Sequence, residues 1–265
     1  AEKAYYALTY YLAQNKSGLD VANDSLIRVA YNYYAKFPKD SLYARCMYYM
    51  GFYYSLNASL ERANYCLKEA QRTAKVQKDT ATLCLAMTRY SWVVRKTHPE
   101  AGLEYAKRVL GLYEKYSKRN VFNIVYNTLM VCECENFCGN PRRAFSLAQQ
   151  AEKNALALGD STVISDVYQD MAYFAVSLGD KRSTHFALLS CRYSDTRFVS
   201  KRLMLAKAYE KTGNYHECIN LLDTLRLENN GQRYEAFAMR HRAAVKLNDP
   251  AALSYADSAY HYIEA

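Results

Sequence analysis

The sequence predicts an all-α fold, a right-handed superhelix (α-solenoid) of about six to seven stacked helical hairpins that occupies residues 1–265 as a single domain. The main observation is a pattern of small and bulky residues that recurs at a fixed offset of 34 positions. Bulky residues three and four apart also form one stripe on each predicted helix. A glycine-centred break separates the two helices of a unit, as at Gly179 and Gly213. Because such a hairpin cannot bury its apolar face alone, it must stack on the next one.

The repeat is clearest between Ser165 and Leu225. The matching positions of these two units are Tyr168, Met171, Ala172, Ala175, Gly179, Thr184, Leu188 and Cys191, and then Arg202, Leu205, Ala206, Tyr209, Gly213, Cys218, Leu222 and Leu225. A further step of 34 gives a weaker match that ends near Ala259. A weaker final repeat is expected, since it has a neighbour on one side only.

The N-terminal hairpin is predicted from two amphipathic stretches. Residues 2–14 form its first helix, which is rich in Tyr and Leu, and residues 22–36 form its second. Asn23 or Asp24 is the expected N-cap of the second helix. This helix is expected to end before Pro38, because a proline disfavours helical conformation at the residue before it.

The next two hairpins depart from the repeat in different ways. The second hairpin turns at Asn57-Ala58-Ser59, without glycine, although small residues such as Gly51 still favour a close approach of its helices. Residues 79–97 form the first helix of the third hairpin, and its pattern is degenerate around Trp92. The partner helix runs from Pro99 to about Tyr116.

Residues 120–158 form the fourth hairpin, with its turn at Gly139. Pro141 suits the first turn of the second helix, and Asn140 is its expected N-cap. The interval from Gly139 to Gly179 is 40 residues rather than 34, so longer helices or connections are expected here.

The C-terminal half resembles the tetratricopeptide repeat, whose pattern has a Leu-small pair, a Tyr, a turn glycine and a later bulky residue. The residues that carry this resemblance are Leu205, Ala206, Tyr209, Gly213, Tyr215 and Leu222. The resemblance implies a non-enzymatic scaffold that binds a protein or peptide on the concave face of a superhelix.

A narrower resemblance covers about the first 70 residues. The segments 23–34 and 48–54, both rich in Tyr, are similar to the N-terminal part of Bacteroidetes tetratricopeptide-repeat proteins of the cell envelope. Members of that group are often lipoproteins or membrane-tethered regulators. The resemblance implies a location in the cell envelope, periplasm-facing or lipoprotein-anchored, with a tether outside this chain and the cytoplasm as the alternative. It also leaves open that the chain is the sensor module of a membrane-linked transcription regulator.

Charge is unevenly distributed along the chain. Residues 1–132 carry 19 Lys and Arg against 10 Asp and Glu, whereas residues 133–265 carry 16 of each kind. A basic half favours an anionic partner, so a nucleic-acid-binding repeat protein is a further alternative. Helical repeats that read RNA use a regular side-chain pair in each repeat, and the sequence has no such pair. No nucleic-acid partner is therefore expected.

The eight cysteines are interpreted as small apolar packing residues, because Cys132, Cys191 and Cys218 occupy repeat positions that elsewhere hold small residues. A metal site at Cys132, Cys134 and Cys138 is not expected, since no His lies within thirty residues of the cluster. No run approaches the 18 or so apolar residues of a membrane span.

Catalytic signatures are missing. The sequence contains no phosphate-binding glycine loop, no H-E-x-x-H and no G-x-S-x-G, and its five His are scattered over separate repeats. Asp166 and Asp170 share a predicted helix face, which is expected to face solvent. The chain is therefore predicted not to be an enzyme and to use no cofactor.

Aromatic residues dominate the predicted partner surface. The chain has 27 Tyr, and most occupy packing positions of the repeat. Tyr48, Phe52, Tyr173 and Phe237 instead fall on the first-helix face that lines the inner groove of such superhelices. Aromatic side chains there offer a peptide a large rigid contact area with polar tips.

Basic residues complete this surface. Lys207, Lys211 and His241 lie on the same predicted face, where they are suited to a carboxylate or an acidic peptide, and Gln169 is included with them. The carboxylate clamp of co-chaperone tetratricopeptide domains is absent, because the corresponding positions hold Gln169, Tyr173, Met204, Tyr234 and Ala238 instead of Lys, Asn and Arg. The identity of the partner is not predicted.

Overall fold

A computed structural model describes residues 1–16, 24–57, 59–195 and 198–264. All regular elements in this part of the chain are helices, which confirms the all-α prediction. The helices are α1 (Glu2–Lys16), α2 (Ser25–Tyr34), α3 (Tyr43–Leu56), α4 (Leu60–Gln77), α5 (Thr80–Val94), α6 (Pro99–Tyr116), α7 (Val121–Phe137), α8 (Pro141–Leu158), α9 (Ser161–Leu178), α10 (Ser183–Tyr193), α11 (Val199–Thr212), α12 (Tyr215–Asp223), α13 (Asn230–Leu247) and α14 (Ala252–Glu264). None of these helices is both long enough and apolar enough to cross a membrane.

The helices pack as sequential hairpins, as the repeat predicts. Each odd-numbered helix contacts the even-numbered helix that follows it, and we call these the first and second helices of a hairpin. The chain divides into two compact units. Unit 1 (Ala1–Arg119) holds the three hairpins of α1 to α6, and unit 2 (Asn120–Ala265) holds the four hairpins of α7 to α14. The expectation of one continuous domain stays a prediction.

The predicted glycine turns lie where the sequence places them. Gly179 ends α9 with a φ of 67°, and Gly213 ends α11 with a φ of 86°. Both values are in the left-handed region, which glycine adopts without steric cost. In each turn the next residue donates its backbone N–H to a carbonyl inside the last helical turn, Asp180 to Ala175 and Asn214 to Tyr209, both at 2.9 Å.

The expected side-chain caps are not formed. Pro141 begins α8 as predicted, and Asn140 occupies the N-cap position, but its amide donates to Oε2 of Glu135 at 3.1 Å instead of capping the helix. Glu135 is almost fully buried, so its carboxylate needs hydrogen-bond donors more than the helix end does. Asp24 precedes α2 without a capping bond, because its carboxylate pairs with Arg28. The alternative cap, Asn23, and residues 17, 18, 22 and 58 of the predicted boundaries and turn lie outside the described residues.

Small residues allow close helix contacts in unit 1. A Cβ added to Gly51 of α3 would lie 2.7 Å from Cγ of Leu67 in α4, and Leu67 is fully buried. Gly102 of α6 also packs closely, because a Cβ there would lie 3.1 Å from Cα of Arg95 at the end of α5. The Oγ of Ser91 in α5 donates to the carbonyl of Gly102 at 2.7 Å. This contact explains why α5 departs from the repeat pattern at Ser91.

Most cysteines are packing residues, as predicted. Cys132 and Cys218 are fully buried, whereas Cys191 is half-buried against the core of unit 2. The other buried cysteines are Cys46, Cys66, Cys84 and Cys134. Burial therefore accounts for cysteine at these positions.

Candidate partner-binding site

The predicted site residues all lie on first helices of hairpins, but in different units. Tyr48 and Phe52 belong to α3 of unit 1. The remaining six belong to unit 2, with Gln169 and Tyr173 on α9, Lys207 and Lys211 on α11, and Phe237 and His241 on α13. The eight residues are thus divided between the two units.

Tyr48 lies in the core of unit 1 and not on an open groove. Only 7% of its surface is exposed, and its ring centre lies 4.8 Å from that of Tyr49. Burial also raises the pKa of its hydroxyl. The reason is that α3 contacts α2, α4 and α5, so that side chains on most of its circumference are covered. The expectation that Tyr48 is exposed to a partner is corrected accordingly.

Tyr173 and Lys207 bring together the aromatic and basic parts of the predicted surface. The Nζ of Lys207 lies 5.5 Å from the ring centre of Tyr173, which is within cation–π range. Both side chains are partly exposed. The contact spans neighbouring first helices, because α9 packs directly against α11.

Lys211 and His241 line a cavity of about 400 Å³ in the last two hairpins of unit 2. We call this the basic pocket, and its lining residues are Glu210, Lys211, Tyr215, His241, Arg242, Val245 and Lys246. Lys211, Val245 and Lys246 are exposed. The structure thus brings Lys211 and His241 together, and Lys246 is a neighbour that the sequence pattern did not indicate.

An internal ion pair decides the charge of the basic pocket. Arg242 donates from Nε and Nη2 to the two carboxylate oxygens of Glu210, at 2.6 and 2.9 Å. The side chain of Glu210 is only 6% exposed, so this bidentate pair is fixed in place. Lys211 and Lys246 have no ion-pair partner in the described part of the chain. The pocket therefore presents two uncompensated positive charges.

The tautomer of His241 follows from its hydrogen bond. Its Nδ1 lies 2.9 Å from the carbonyl oxygen of Ala252. Because a carbonyl only accepts, Nδ1 carries the hydrogen and donates it. The Nε2 of the neutral ring then has a free lone pair for a donor of a bound molecule.

Phe237 belongs to the packing of the last hairpin and not to the basic pocket. Its ring stacks on Tyr262 of α14 with centres 5.7 Å apart, and the guanidinium of Arg240 lies 5.0 Å from its centre. Arg240 in turn pairs with Asp223 at 2.7 Å. The Phe237 ring is thus used largely by contacts within its own unit.

Gln169 lines a different cleft of about 440 Å³, together with Asp166 and Lys201. The expectation that Asp166 faces solvent freely is wrong. Its Oδ1 accepts from Nζ of Lys201 at 2.5 Å, and its Oδ2 accepts from the hydroxyl of Tyr126 at 2.7 Å. Burial, followed by the charge of Asp166, raises the pKa of the Tyr126 hydroxyl.

Sequence reasoning missed Lys201, although a signal was present. Lys201 follows Val167 by the repeat offset of 34, and Val167 is a core residue. A lysine at a core position of a repeat must bury its charge and needs a partner there. Lys201 is 5% exposed, and its Nζ also donates to Oγ of Ser165 at 2.7 Å.

Phe52 contacts Arg89, which the sequence pattern also did not indicate. The Cζ of Arg89 lies 4.3 Å from the ring centre of Phe52 and equally far from that of Trp92. Arg89 and Trp92 both belong to α5, the helix with the degenerate repeat pattern. This departure from the pattern was the available signal.

Metal centres and reactive thiols are two kinds of site that the described residues allow to be checked. No group of three or more His, Cys, Asp or Glu among them is placed to hold a metal ion. Burial raises the pKa of the Cys66 thiol to about 11 and those of Cys46 and Cys218 to about 12, whereas a nucleophilic thiol needs a lowered pKa. The side chains that line the two clefts can form hydrogen bonds, ion pairs and aromatic contacts with a bound molecule.

Comparisons with known proteins agree with this architecture. No protein-family model and no curated protein sequence matches the chain. Among solved structures, a Rap protein complexed with competence and sporulation factor is similar over 98% of this chain and 86% of that chain, with 14% identity and a TM-score of 0.73.

Two further structures have the same kind of similarity. A Signal Transduction ATPase with Numerous Domains from Pyrococcus horikoshii, which has a tetratricopeptide repeat sensor, is similar over 98% of this chain and 42% of its own, at 14% identity and a TM-score of 0.70. PilF of Pseudomonas aeruginosa is similar over 83% of this chain and 88% of its own, at 15% identity and a TM-score of 0.54. The chain therefore has an all-α, tetratricopeptide-repeat-like fold of sequential hairpins.

Proposed function

We propose that this chain is a non-enzymatic binding module that holds a protein or peptide partner on the first-helix face of unit 2. The basic pocket carries this proposal, because it combines a cavity of peptide side-chain size with two lysines that no carboxylate of the described chain neutralises. A structure of the same fold, the Rap protein, is complexed with competence and sporulation factor.

The chemistry of the pocket suits an acidic segment with an apolar neighbour. Lys211 and Lys246 attract carboxylates, while Tyr215 and the exposed Val245 offer apolar contact. Nε2 of His241 accepts a hydrogen bond from a backbone or side-chain donor. Tyr173 and Lys207 extend the surface along α9 and α11.

The test compares two doubly substituted proteins of equal charge. Lys211→Gln with Lys246→Gln removes the free charges of the pocket, whereas Lys153→Gln with Lys181→Gln removes two exposed charges elsewhere in unit 2. Each protein is immobilised and exposed to lysate of the source organism and to an array of acidic peptides. The proposal expects a partner that binds the wild type and the control but binds the pocket variant at least about tenfold more weakly. Equal binding by all three proteins would contradict it.

A second candidate is the sensor module of a larger regulator. One similar structure has a tetratricopeptide repeat sensor, and this chain spans 42% of that protein's length. A coding sequence that continues into an effector domain would support this role. From the N-terminal resemblance we also propose a location in the cell envelope, which fractionation of the source organism with an antibody to this chain would test.

A further inference from the structure

Side chains of three first helices of unit 1 form a chain of aromatic contacts that ends at Arg89. Tyr11 of α1 contacts Tyr49 of α3 with ring centres 5.8 Å apart, and Phe52 of α3 contacts Arg89 of α5. Trp92, one turn after Arg89, covers the guanidinium with its ring centre 4.3 Å from Cζ. The result is a guanidinium set among aromatic rings.

Arg89 has few hydrogen-bond partners for a partly buried cation. Its Nε donates to Oγ of Ser55 at 2.7 Å. Its Nη2 is buried and has no hydrogen-bond partner among the described residues, and no carboxylate of that part of the chain pairs with Arg89. An unpaired buried donor on a charged group is costly, so its retention calls for an explanation.

The hydroxyl of Tyr11 has the same unmet need. It is buried without a hydrogen-bond partner in the described residues, and Tyr11 is 1% exposed. Ring contacts connect Tyr11 to this site, because Tyr49 lies against both Tyr11 and Tyr48. Tyr48 in turn contacts Phe52, whose ring lies against Arg89. The negative charge of Asp24 contributes to the raised pKa of the Tyr11 hydroxyl, but the Asp24 carboxylate is already paired with Arg28.

Arg89 nevertheless stays charged at neutral pH. Burial, and then the like charge of Arg95, lower its pKa to about 10. Arg95 lies over the other partner of Arg89, with its Cζ 4.5 Å from the ring centre of Trp92. The local field is thus positive, in the half of the chain that holds the excess of basic residues.

We propose that Arg89, with Phe52 and Trp92 as aromatic walls, binds a carboxylate of a peptide or protein partner. All donors of a guanidinium lie in its plane, so the rings against its faces leave the edge for a carboxylate. Because Nε is bonded to Ser55 and Nη2 is buried, the carboxylate accepts a charge-assisted hydrogen bond from Nη1. The walls then contact the apolar part of the same partner. The site lies in unit 1 and shares no residue with the basic pocket, so either proposal can fail without the other.

The chain supplies its own reporter, because Trp92 is its only tryptophan. The fluorescence of Trp92 is titrated with three pentapeptides: one blocked at both ends with a central glutamate, the same peptide with glutamine, and the glutamine peptide with a free C-terminal carboxylate. A response to the glutamate peptide assigns the site to acidic side chains, and a response to the third peptide assigns it to a chain terminus. Either response, absent for the blocked glutamine peptide, supports the proposal. No response, or an equal response to all three, overturns it.

Substitutions locate the binding at Arg89. Arg89→Gln is expected to weaken the apparent affinity at least about tenfold, and Arg89→Lys to weaken it less, because a lysine keeps the charge without the planar fork. Arg108→Gln removes an exposed arginine of the same unit and is expected to leave the titration unchanged. Equal affinities of Arg89→Gln and the wild type would overturn the proposal.

Thermal unfolding separates this role from a structural one. Since Arg89 has no carboxylate partner within the described chain, Arg89→Met is expected to keep or raise the melting temperature while the peptide response is lost. A marked fall in melting temperature in Arg89→Met, together with an unchanged titration in Arg89→Lys, would make Arg89 a structural residue and overturn the assignment.

Discussion

The ammonium group of Lys201 lies 2.5 Å from Oδ1 of Asp166, inside the stack of first helices of unit 2. Lys201 belongs to α11 and Asp166 to α9, and the second carboxylate oxygen of Asp166 is bonded to Tyr126 of α7. One carboxylate therefore links three successive hairpins. These bonds form only in this register of the helices, so the network adds directional constraint to a core that is otherwise apolar.

Asp166→Asn is expected to destabilise unit 2 by about 2 to 3 kcal/mol, because it leaves Lys201, whose side chain is only 6% exposed, without a counter-charge. Urea unfolding followed by circular dichroism measures the change. Asp166→Asn with Lys201→Met, which removes both charges, is expected to recover part of the loss. An unfolding midpoint equal to that of the wild type would show that the pair has no net role in stability.

Two glycines of unit 1 give opposite predictions for the same substitution. Gly51→Ala is expected to destabilise by about 1 to 3 kcal/mol, since its Cβ would lie 2.7 Å from the buried Leu67. Gly111→Ala is expected to stabilise by about 0.5 to 1 kcal/mol, because Gly111 is exposed inside α6 with no atom within 4 Å. Melting temperatures of both variants test these predictions. A rise in Gly51→Ala would contradict the close approach of α3 to α4, and a fall in Gly111→Ala would contradict the open surroundings of Gly111.

Tyr48 and Tyr173 are expected to differ in what they stabilise. Tyr48→Ala leaves a cavity in the core of unit 1 and is expected to cost about 3 kcal/mol of folding free energy. Tyr173 is partly exposed, so Tyr173→Ala is expected to cost about 1 kcal/mol or less. Denaturant unfolding of the two variants measures both values. Similar small losses of folding free energy in both variants would show that Tyr48 is not a core residue.

Stability is expected to fall at alkaline pH. The buried thiols of Cys46 and Cys218 have pKa values raised to about 12, whereas an unfolded thiol ionises near pH 8.5. Their contribution is therefore complete below about pH 8.5 and is lost as the pH rises toward the folded pKa, by up to about 1.4 kcal/mol per pH unit for each thiol.

Urea midpoints measured from pH 7.5 to 10.5 test this dependence. Cys46→Ala removes one of these thiols, so its midpoint is expected to fall less steeply above pH 8.5 than that of the wild type. The buried hydroxyls of Tyr43 and Tyr168, whose pKa values burial raises to about 12, add a loss of the same sign only above pH 10. Midpoints that are flat up to pH 10.5 would contradict the burial of these thiols.

The candidate site was predictable only where helical spacing alone places residues on one face. Lys211 and His241 were placed on one face by helical spacing, and the structure brings them into one pocket. Tyr48 was misjudged because spacing gives the direction of a side chain but not the neighbours that cover it. Arg89 was missed for a related reason, since its aromatic neighbour Phe52 comes from a different helix.

The sequence alone determined the all-α hairpin repeat, the glycine turns and the use of cysteine as a packing residue. These features depend on residues within a few turns of one another, where helical periodicity and backbone conformation decide the outcome. Only the tertiary structure decided which polar groups are paired across helices, as with Lys201 and Asp166, and which aromatic rings are covered. Such pairings join residues about 35 positions apart, and their geometry depends on how each hairpin packs on the next.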